Sequence, residues 1–308
     1  MSTPHFSVEP NPRLAVKARH ADDDVLVVEK PAHMPTQPGL GHERDTLLNA
    51  LFATHGRLLQ NLGADRDYGL LHRLDLETSG LLIVALRPRA YDALRADFAA
   101  RRVAKFYWAV VAHAPSRPEG VIRKPLLEAP GRGLRKVSKI SASGKPAVTA
   151  YRVLSRSDLG AVLECRPVTG RLHQVRVHLA SVGSAIAGDD IYGDAQDRAV
   201  SKRLALHAHR VTFTHPVTGE ALDVRSAWPR DLRSVLTRLR LPRPDLTPAE
   251  VADAAAQSKQ HAKRPKPAAA LDDSDDSLDA VDGLEELQRD AISEQEARLR
   301  GADPSTDD

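Results

Sequence analysis

Along residues 24–240 the hydrophobic positions switch repeatedly between a strand period and a helix period. Asp24–Glu29 (DVLVVE) is an almost unbroken apolar run closed by Lys30-Pro31, which predicts a short, largely buried strand. Apolar residues then return at helical spacing, and Asp45–His55 (DTLLNALFATH) predicts a helix opened by an Asp/Thr cap. Gly80–Leu86 (GLLIVAL) predicts a second buried strand. Arg89–Arg102 predicts an amphipathic helix, with Tyr91, Leu94 and Phe98 on one side and arginines elsewhere. Further strands are expected at Lys105–Val111, Val148–Leu154, Val162–Pro167 and Leu204–Phe213, and a helix over Leu172–Val182 with Leu172, Val175, Leu179 and Val182 inward. Strands outnumber helices and often follow one another directly. The pattern therefore predicts an α+β fold with a largely antiparallel mixed sheet rather than a doubly wound parallel one.

Composition narrows the class. With 308 residues and 42% hydrophobic content, the chain can bury the core of one large domain or two small ones, so a globular enzyme is within reach. No stretch approaches the roughly 18 consecutive apolar residues of a membrane helix, and the opening MSTPHFSVEPNPR carries no signal-like apolar run, so a cytoplasmic protein is expected. The single cysteine, Cys165, excludes an internal disulfide and a cysteine-based zinc site and reads as a small buried strand residue.

Charge divides the chain. Residues 251–308 hold 15 Asp/Glu against 7 Lys/Arg, and residues 1–250 hold 26 against 37, so the body carries +11 and the tail −8. A basic body points to a polyanionic partner. The tail has no Phe, Tyr or Trp and is expected to be disordered, with a transient helix around Leu284–Leu299. Its HAKRPKPAAA-then-LDDSDDSLDA order reads as a solubilising tail, with weak self-inhibition of an RNA-binding face as the alternative. The expected organisation is an N-terminal extension (1–23), a catalytic domain (24–240) and a disordered acidic C-terminal tail (241–308).

Candidate chemistry concentrates in two segments. In LLHRLDLETSGLLIVAL, Arg73 and Asp75 lie in a loop held between Leu70-Leu71 and the apolar strand, so the carboxylate sits on a rigid frame. It could serve catalysis or merely cap a turn through Thr78 or Ser79. Ser79 as a hydrolase nucleophile is a weaker reading, because Glu77-Thr78-Ser79-Gly80 lacks the glycine two residues before the serine that a sharp elbow needs. The second segment, PVTGRLHQVRVHLASVGSAIAGDDIYGD, carries Arg171, His173, Gln174, Arg176 and His178. A Thr-Gly turn entering a helix at Arg171 offers free backbone N–H groups and a guanidinium, so Arg171 could pair with Asp75. His173 and His178 would stand about 140° apart on a helix, which argues against a shared metal. His178 reads as a hydrogen-bonded scaffold residue.

Taken together, these segments resemble a known family. HRLDLETSGLLIVAL resembles the hallmark segment of the RluA family of RNA pseudouridine synthases, preceded by VVEKPAHMPTQPG and TLLNAL as in that family. KFYWAVV resembles its tyrosine-bearing strand, VTGRLHQVRVHLASVGSAIAGDDIYG its arginine motif, and LALHAHRVTFTHPVTGE its closing strand, all in the family's order from about Asp24 to Trp228. The segment before Asp24 is too short for the N-terminal S4 RNA-binding domain of many relatives, so a compact member is expected. The resemblance implies a pseudouridine synthase-like fold and an isomerase that moves uracil from a nitrogen to a carbon linkage on its ribose. Asp75 would be catalytic, Tyr107 would stack on the uracil near its carbon-5 proton, and Arg171 would orient Asp75. Arg73 would enter the space left by a flipped-out nucleotide. An isomerisation requires neither redox cofactor nor metal.

Substrate choice rests on less. GRGLRKVSKISASGK (residues 131–145) places Arg132, Arg135, Lys136, Lys139 and Lys145 in a Gly/Ser-rich span, expected to be a mobile loop gripping phosphates or else an ordinary solvated hairpin. Compact relatives act on tRNA, on large-subunit (23S) rRNA or on a stem-loop shared by both, and GDDIYGDAQDRAVSKRLALHAHRVTFTHP looks closest to the dual-specificity group. Unstacked loop bases suit sequence reading better than continuous duplex. A monomer with no membrane or metal partner is expected. Two alternatives stay open: a non-catalytic RNA-binding protein of the same fold, and a hydrolase acting on a small substrate.

Overall fold

The computed structural model of the chain describes residues 6–131, 133 and 136–245. The acidic tail beyond Asp245, with the helix expected around Leu284–Leu299, lies outside these residues, as do Arg132 and Arg135.

The elements run β1 (Lys17–Ala21), β2 (Val25–Lys30), α1 (Leu47–Leu62), β3 (Ser79–Ala85), α2 (Pro88–Ala99), β4 (Ala104–Val111), β5 (Glu119–Arg123), β6 (Leu126–Pro130), β7 (Lys136–Ile140), β8 (Val148–Ser157), β9 (Gly160–Pro167), α3 (Gln174–Ala180), α4 (Ala195–Val200), β10 (Leu206–Thr214), β11 (Ala221–Arg225) and α5 (Arg233–Leu239). Nine strands form one sheet in the order β1-β2-β3-β10-β4-β9-β8-β5, with β11 pairing to β10, while β6 and β7 form a separate hairpin. Among the described residues only β3 and β10 pair in parallel, and every other ladder is antiparallel. This is the α+β, largely antiparallel mixed sheet that the apolar pattern implied.

The core follows the two apolar runs. All seven residues of β3 are buried, as are five of the six in β2, so these strands are covered on both faces. Thr46 caps α1 by accepting from the Asn49 amide, and Asn49 returns the bond to the Thr46 backbone, a capping box that fixes where the helix starts. Gly80 opens β3 where β10 approaches: its φ is +124°, and a Cβ there would lie 2.3 Å from the Ala208 carbonyl oxygen. Only glycine fits.

Three expectations change. The segment before Asp24 is not a separate extension in its described part: β1 pairs with β2, Val8 is buried and Phe6 packs edge-on against Phe52. Helix α3 is shorter than Leu172–Val182, because His173 adopts a left-handed backbone (φ 54°) and the helix starts only at Gln174; Leu172 is half-buried and Val182 exposed. In its described part the basic span takes the hairpin alternative rather than the mobile loop, since Lys136–Ile140 is a regular strand paired with β6. Side chains alternate across such a pair, so Lys136 shares a face with Ser138 and Lys139 takes the other.

Candidate active site

The Leu70–Thr78 loop is pinned at alternate residues. His72 Nε2 accepts the Ile83 amide at 3.1 Å, and burial pulls the His72 ring down to about 3, so it is neutral and fit to accept. Thr36 Oγ1 donates to the Leu74 carbonyl at 3.0 Å and receives the Leu74 amide at 3.3 Å. Fully buried Lys30 donates to the carbonyls of Pro31 (2.9 Å), Met34 (2.7 Å) and Leu76 (3.3 Å), tying two loops together. The Thr78 amide closes a turn on the Asp75 carbonyl at 3.1 Å. Between these anchors Arg73 is exposed and Asp75 half-buried. Asp75 enters the turn through its backbone, and no hydrogen bond reaches its carboxylate from the described residues. The capping role that the sequence left open is therefore not the one its side chain plays.

The arginine beside this carboxylate is Arg176, not Arg171. Arg176 Nη1 lies 3.8 Å from Asp75 Oδ2, and its side chain is 2% exposed. Its Nε and Nη2 edge is committed to Asp189, which is fully buried, through two bonds of 2.8 Å; Nη2 also lies 3.7 Å from Glu77 and 3.4 Å from Asp190. Burial alone would lower the Arg176 pKa, but the Asp189 bonds and the nearby carboxylates raise it above its ordinary value. Asp189 is in turn held below the usual carboxylate range: burial pushes it up, and the Arg176 bonds and the Tyr192 and Ile191 amides more than offset that. Arg171 is exposed and donates to the Pro146 carbonyl at 3.2 Å. Its amide, expected to be free for a phosphate, is taken by Gln174 Oε1 at 3.1 Å. The left-handed turn at His173 is the physical reason, since it delays the helix start to Gln174, which leaves Arg171 outside the helix and Arg176 on its inward side.

Tyr107 reaches the site from β4, where it pairs with Ala208 on one side and Cys165 on the other. It shares a sheet face with Lys105, while Phe106 and Trp108 point the other way, Trp108 stacking on His209 at 3.9 Å. Burial first, then the Asp75 charge, drives the Tyr107 phenol well above its ordinary range, so it is un-ionised at neutral pH. Lys105, 5.3 Å over the Phe98 ring, is lowered to about 8 by burial. Tyr192, which the sequence reading did not single out, lies against Arg176 and His173. Its ring is 5.3 Å from the Arg176 guanidinium and its hydroxyl 2.9 Å from His173 Nδ1.

Other candidates settle into structural roles. His178 is buried between Thr149 Oγ1 (2.8 Å) and the Lys124 carbonyl (2.9 Å), the scaffold part expected of it. Ser79 does sit 2.8 Å from His207 Nδ1, but it is buried, and the other ring nitrogen of His207 meets Ser226 rather than a carboxylate. The arrangement lacks the exposed nucleophile of a hydrolase. Cys165 is buried and its thiol is pushed up by burial, so it is inert. Among the described residues no group of three or more His, Cys, Asp or Glu could hold a metal ion, and no helix is long and apolar enough to cross a membrane.

Comparisons with known proteins meet this geometry. Residues 24–181 match the family described as RNA pseudouridylate synthase. The chain is 39% identical over 233 residues to the ribosomal large subunit pseudouridine synthase D of Xanthomonas campestris, covering 72% of this chain and 68% of that one. To the protein of the same name from Zymomonas mobilis it is 35% identical over 227 residues, covering 71% of each. Among solved structures, human RNA pseudouridylate synthase domain containing 1 superposes with a TM-score of 0.59 at 25% identity, covering 81% of this chain and 98% of that one. The matched span holds Lys30, Asp75, Tyr107 and Arg176 together, and the chain belongs to the RNA pseudouridylate synthase family: it is an RNA pseudouridine synthase, an isomerase of uridine within RNA.

Proposed function

We propose that Asp75 is the catalytic carboxylate of this synthase and that its substrate is a uridine in a stem-loop of large-subunit ribosomal RNA. The observation that carries the first part is an aspartate on a loop pinned at every second residue, with its carboxylate facing a buried guanidinium and spent on no hydrogen bond among the described residues. The reaction breaks the bond from the ribose anomeric carbon to uracil N1 and forms one to carbon 5. The carbon-5 proton leaves and N1 takes one up. A carboxylate with free lone pairs can attack the anomeric carbon or the ring, or remove a ribose proton. Each route needs the same unengaged oxygen. Arg176 steadies that oxygen, the neutral Tyr107 phenol stacks on the ring or meets the departing proton, and exposed Arg73 fills the gap left by the flipped base. The catalytic domain is residues 24–240, with β1 added from the segment before it.

The rRNA assignment is supported by the names of the relatives from Xanthomonas and Zymomonas. The tRNA side of a dual specificity rests on the resemblance of residues 188–216 alone. The test is tritium release from RNA carrying 5-tritiated uridine, run on large-subunit rRNA and on tRNA transcripts with the parent and with Asp75→Asn. Release from rRNA by the parent and none by Asp75→Asn, with RNA binding retained, is expected. Parental release by Asp75→Asn removes Asp75 from the chemistry, and release from tRNA alone removes the rRNA assignment.

A further inference from the structure

Tyr192 joins two parts of the molecule that the reaction must keep in register. It lies in the loop after α3, three residues past Asp189. Its hydroxyl receives the Ser138 amide at 2.9 Å and lies 2.9 Å from His173 Nδ1. A phenol has one proton and two acceptor lone pairs. Ser138 occupies a lone pair, which leaves the phenol proton free to be given to Nδ1 of a neutral His173. Burial lowers the His173 pKa, although Asp75 and Asp189 act the other way, and the neutral ring suits that role. The Tyr192 ring at the same time lies against Arg176, the residue that faces Asp75.

Ser138 is the middle residue of β7. Its amide is given to Tyr192 rather than to β6, so it points outward and Tyr192 caps the free edge of the β6–β7 hairpin. Ser138 is buried while Lys136, Lys139 and Ile140 around it are exposed. At the hairpin's base Leu126 packs with Ala147 and Val177, and Tyr192 packs against this small cluster. One side chain therefore holds the basic hairpin by its edge, rests on its apolar foot, and supports the guanidinium beside the catalytic carboxylate.

We propose that Tyr192 is a positioning residue that latches the basic β6–β7 hairpin to the Arg176–Asp75 site, so that RNA backbone gripped by the hairpin is delivered in register with Asp75. This rests on Asp75 being the catalytic group. The latch acts on capture of the substrate, through the hydroxyl, and not on the chemical step, because Phe in place of Tyr keeps the ring against Arg176.

The test uses the full chain and an unmodified large-subunit rRNA transcript carrying 5-tritiated uridine, with Tyr192→Phe, Ser138→Pro and the double variant. Proline at an outward-facing edge amide removes that donor without taking a bond from the β6 ladder, while also fixing φ and replacing the serine side chain. Losing two neutral hydrogen bonds corresponds to about a tenfold change. Tyr192→Phe, which loses both bonds, should raise KM about tenfold and Ser138→Pro, which loses one, about threefold, each with the single-turnover rate at saturating RNA within about threefold of the parent, and the double variant should be no worse than about twofold beyond Tyr192→Phe. Trypsin should also cut after Lys136 and Lys139 faster in Tyr192→Phe at an unchanged thermal midpoint, a readout that needs neither Ser138→Pro nor turnover. A parental KM and cleavage rate in Tyr192→Phe, multiplying effects in the double variant, or a collapsed saturated rate at unchanged KM would each overturn the latch. Failure of the Asp75 reading would show separately, as turnover by Asp75→Asn, with the binding and cleavage results standing.

Discussion

Exchanging arginine for lysine at positions 176 and 171 makes the same chemical change five residues apart, with very different expected results. Arg176 spends Nε and Nη2 on Asp189 and still presents Nη1 to Asp75, three directions from one rigid fork. A lysine has a single nitrogen and cannot hold Asp189 by two bonds while facing Asp75. At least one of two buried charge-assisted bonds is lost, at about 1.5–3 kcal/mol each. With about 2–4 °C per kcal/mol for a protein of this size, Arg176→Lys should lower the thermal midpoint by roughly 3–12 °C. Misplacing the group that steadies a reacting carboxylate by about 1 Å costs about a hundredfold in rate, so the single-turnover rate should fall by at least that factor. Arg171→Lys gives up one exposed bond to the Pro146 carbonyl and should stay within about 0.5 kcal/mol and a few-fold of the parental rate. Scanning calorimetry and tritium release under single-turnover conditions read both quantities. If position 171 proved as costly as 176, or Arg176→Lys matched the parent, the assignment of the orienting arginine would be wrong.

Tyr107→Phe should slow the saturated rate by at least tenfold while leaving RNA affinity within about threefold, because the stacking ring remains and only the hydroxyl goes; equal rates in tritium release would remove the hydroxyl from the mechanism. Lys136 shares the Ser138 face of β7 and Lys139 does not. Lys136→Ala should therefore reduce the slope of log affinity against log salt by about 0.7 and Lys139→Ala should barely change it, whereas equal losses in filter binding would show that both reach phosphate. Burial pulls the Lys30 ammonium from 10.5 to about 7, so between those pH values the unfolded chain binds the extra proton and stability contributed at this site rises with pH. The difference in unfolding free energy between the parent and Lys30→Met should then grow by on the order of 4 kcal/mol from pH 7 to 10.5, and a flat difference in urea titrations would contradict it.

The parts of this fold that were legible in the sequence are those whose residues are buried on both faces. β2, β3 and β4 lie within a residue or two of the expected runs, because an unbroken apolar stretch has one period and one place to go. β1 (KARHA), β5 (EGVIR) and β7 (KVSKI) carry too few buried positions to show alternation, and only their partners make them strands. α3 was overextended because Leu172, Val175, Leu179 and Val182 fit a helical stripe, while the break comes from a left-handed His173, with the Arg171 amide before it satisfied by the Gln174 side chain. The site divides in the same way. Asp75 was legible because its frame is local. Arg176 was not, since its partner Asp189 lies thirteen residues on and nothing short of the fold says that they meet. One signal was available: Arg176 sits between two valines and is followed by paired aspartates, and an arginine in an apolar setting requires a buried acid.

The chemistry around Asp75 depends on keeping the groups that hold the site separate from the group that reacts. The strong bonds end elsewhere: His72 on Ile83, Thr36 on Leu74, Lys30 on three carbonyls, and Arg176 on Asp189. Asp75 inherits the rigidity of the first three through the backbone of its own loop, and its carboxylate meets the fixed guanidinium at 3.8 Å, beyond hydrogen-bond reach. Had the carboxylate itself closed the turn or taken the fork of Arg176, its lone pairs would be occupied by short charge-assisted bonds. Those bonds would have to break before it could touch ribose or uracil, adding to the barrier of whichever route it follows. Asp189 takes that structural load instead. The neighbouring acids Asp75 and Asp189 thus divide the work by burial and bonding alone, one fixed and saturated, the other fixed and unspent.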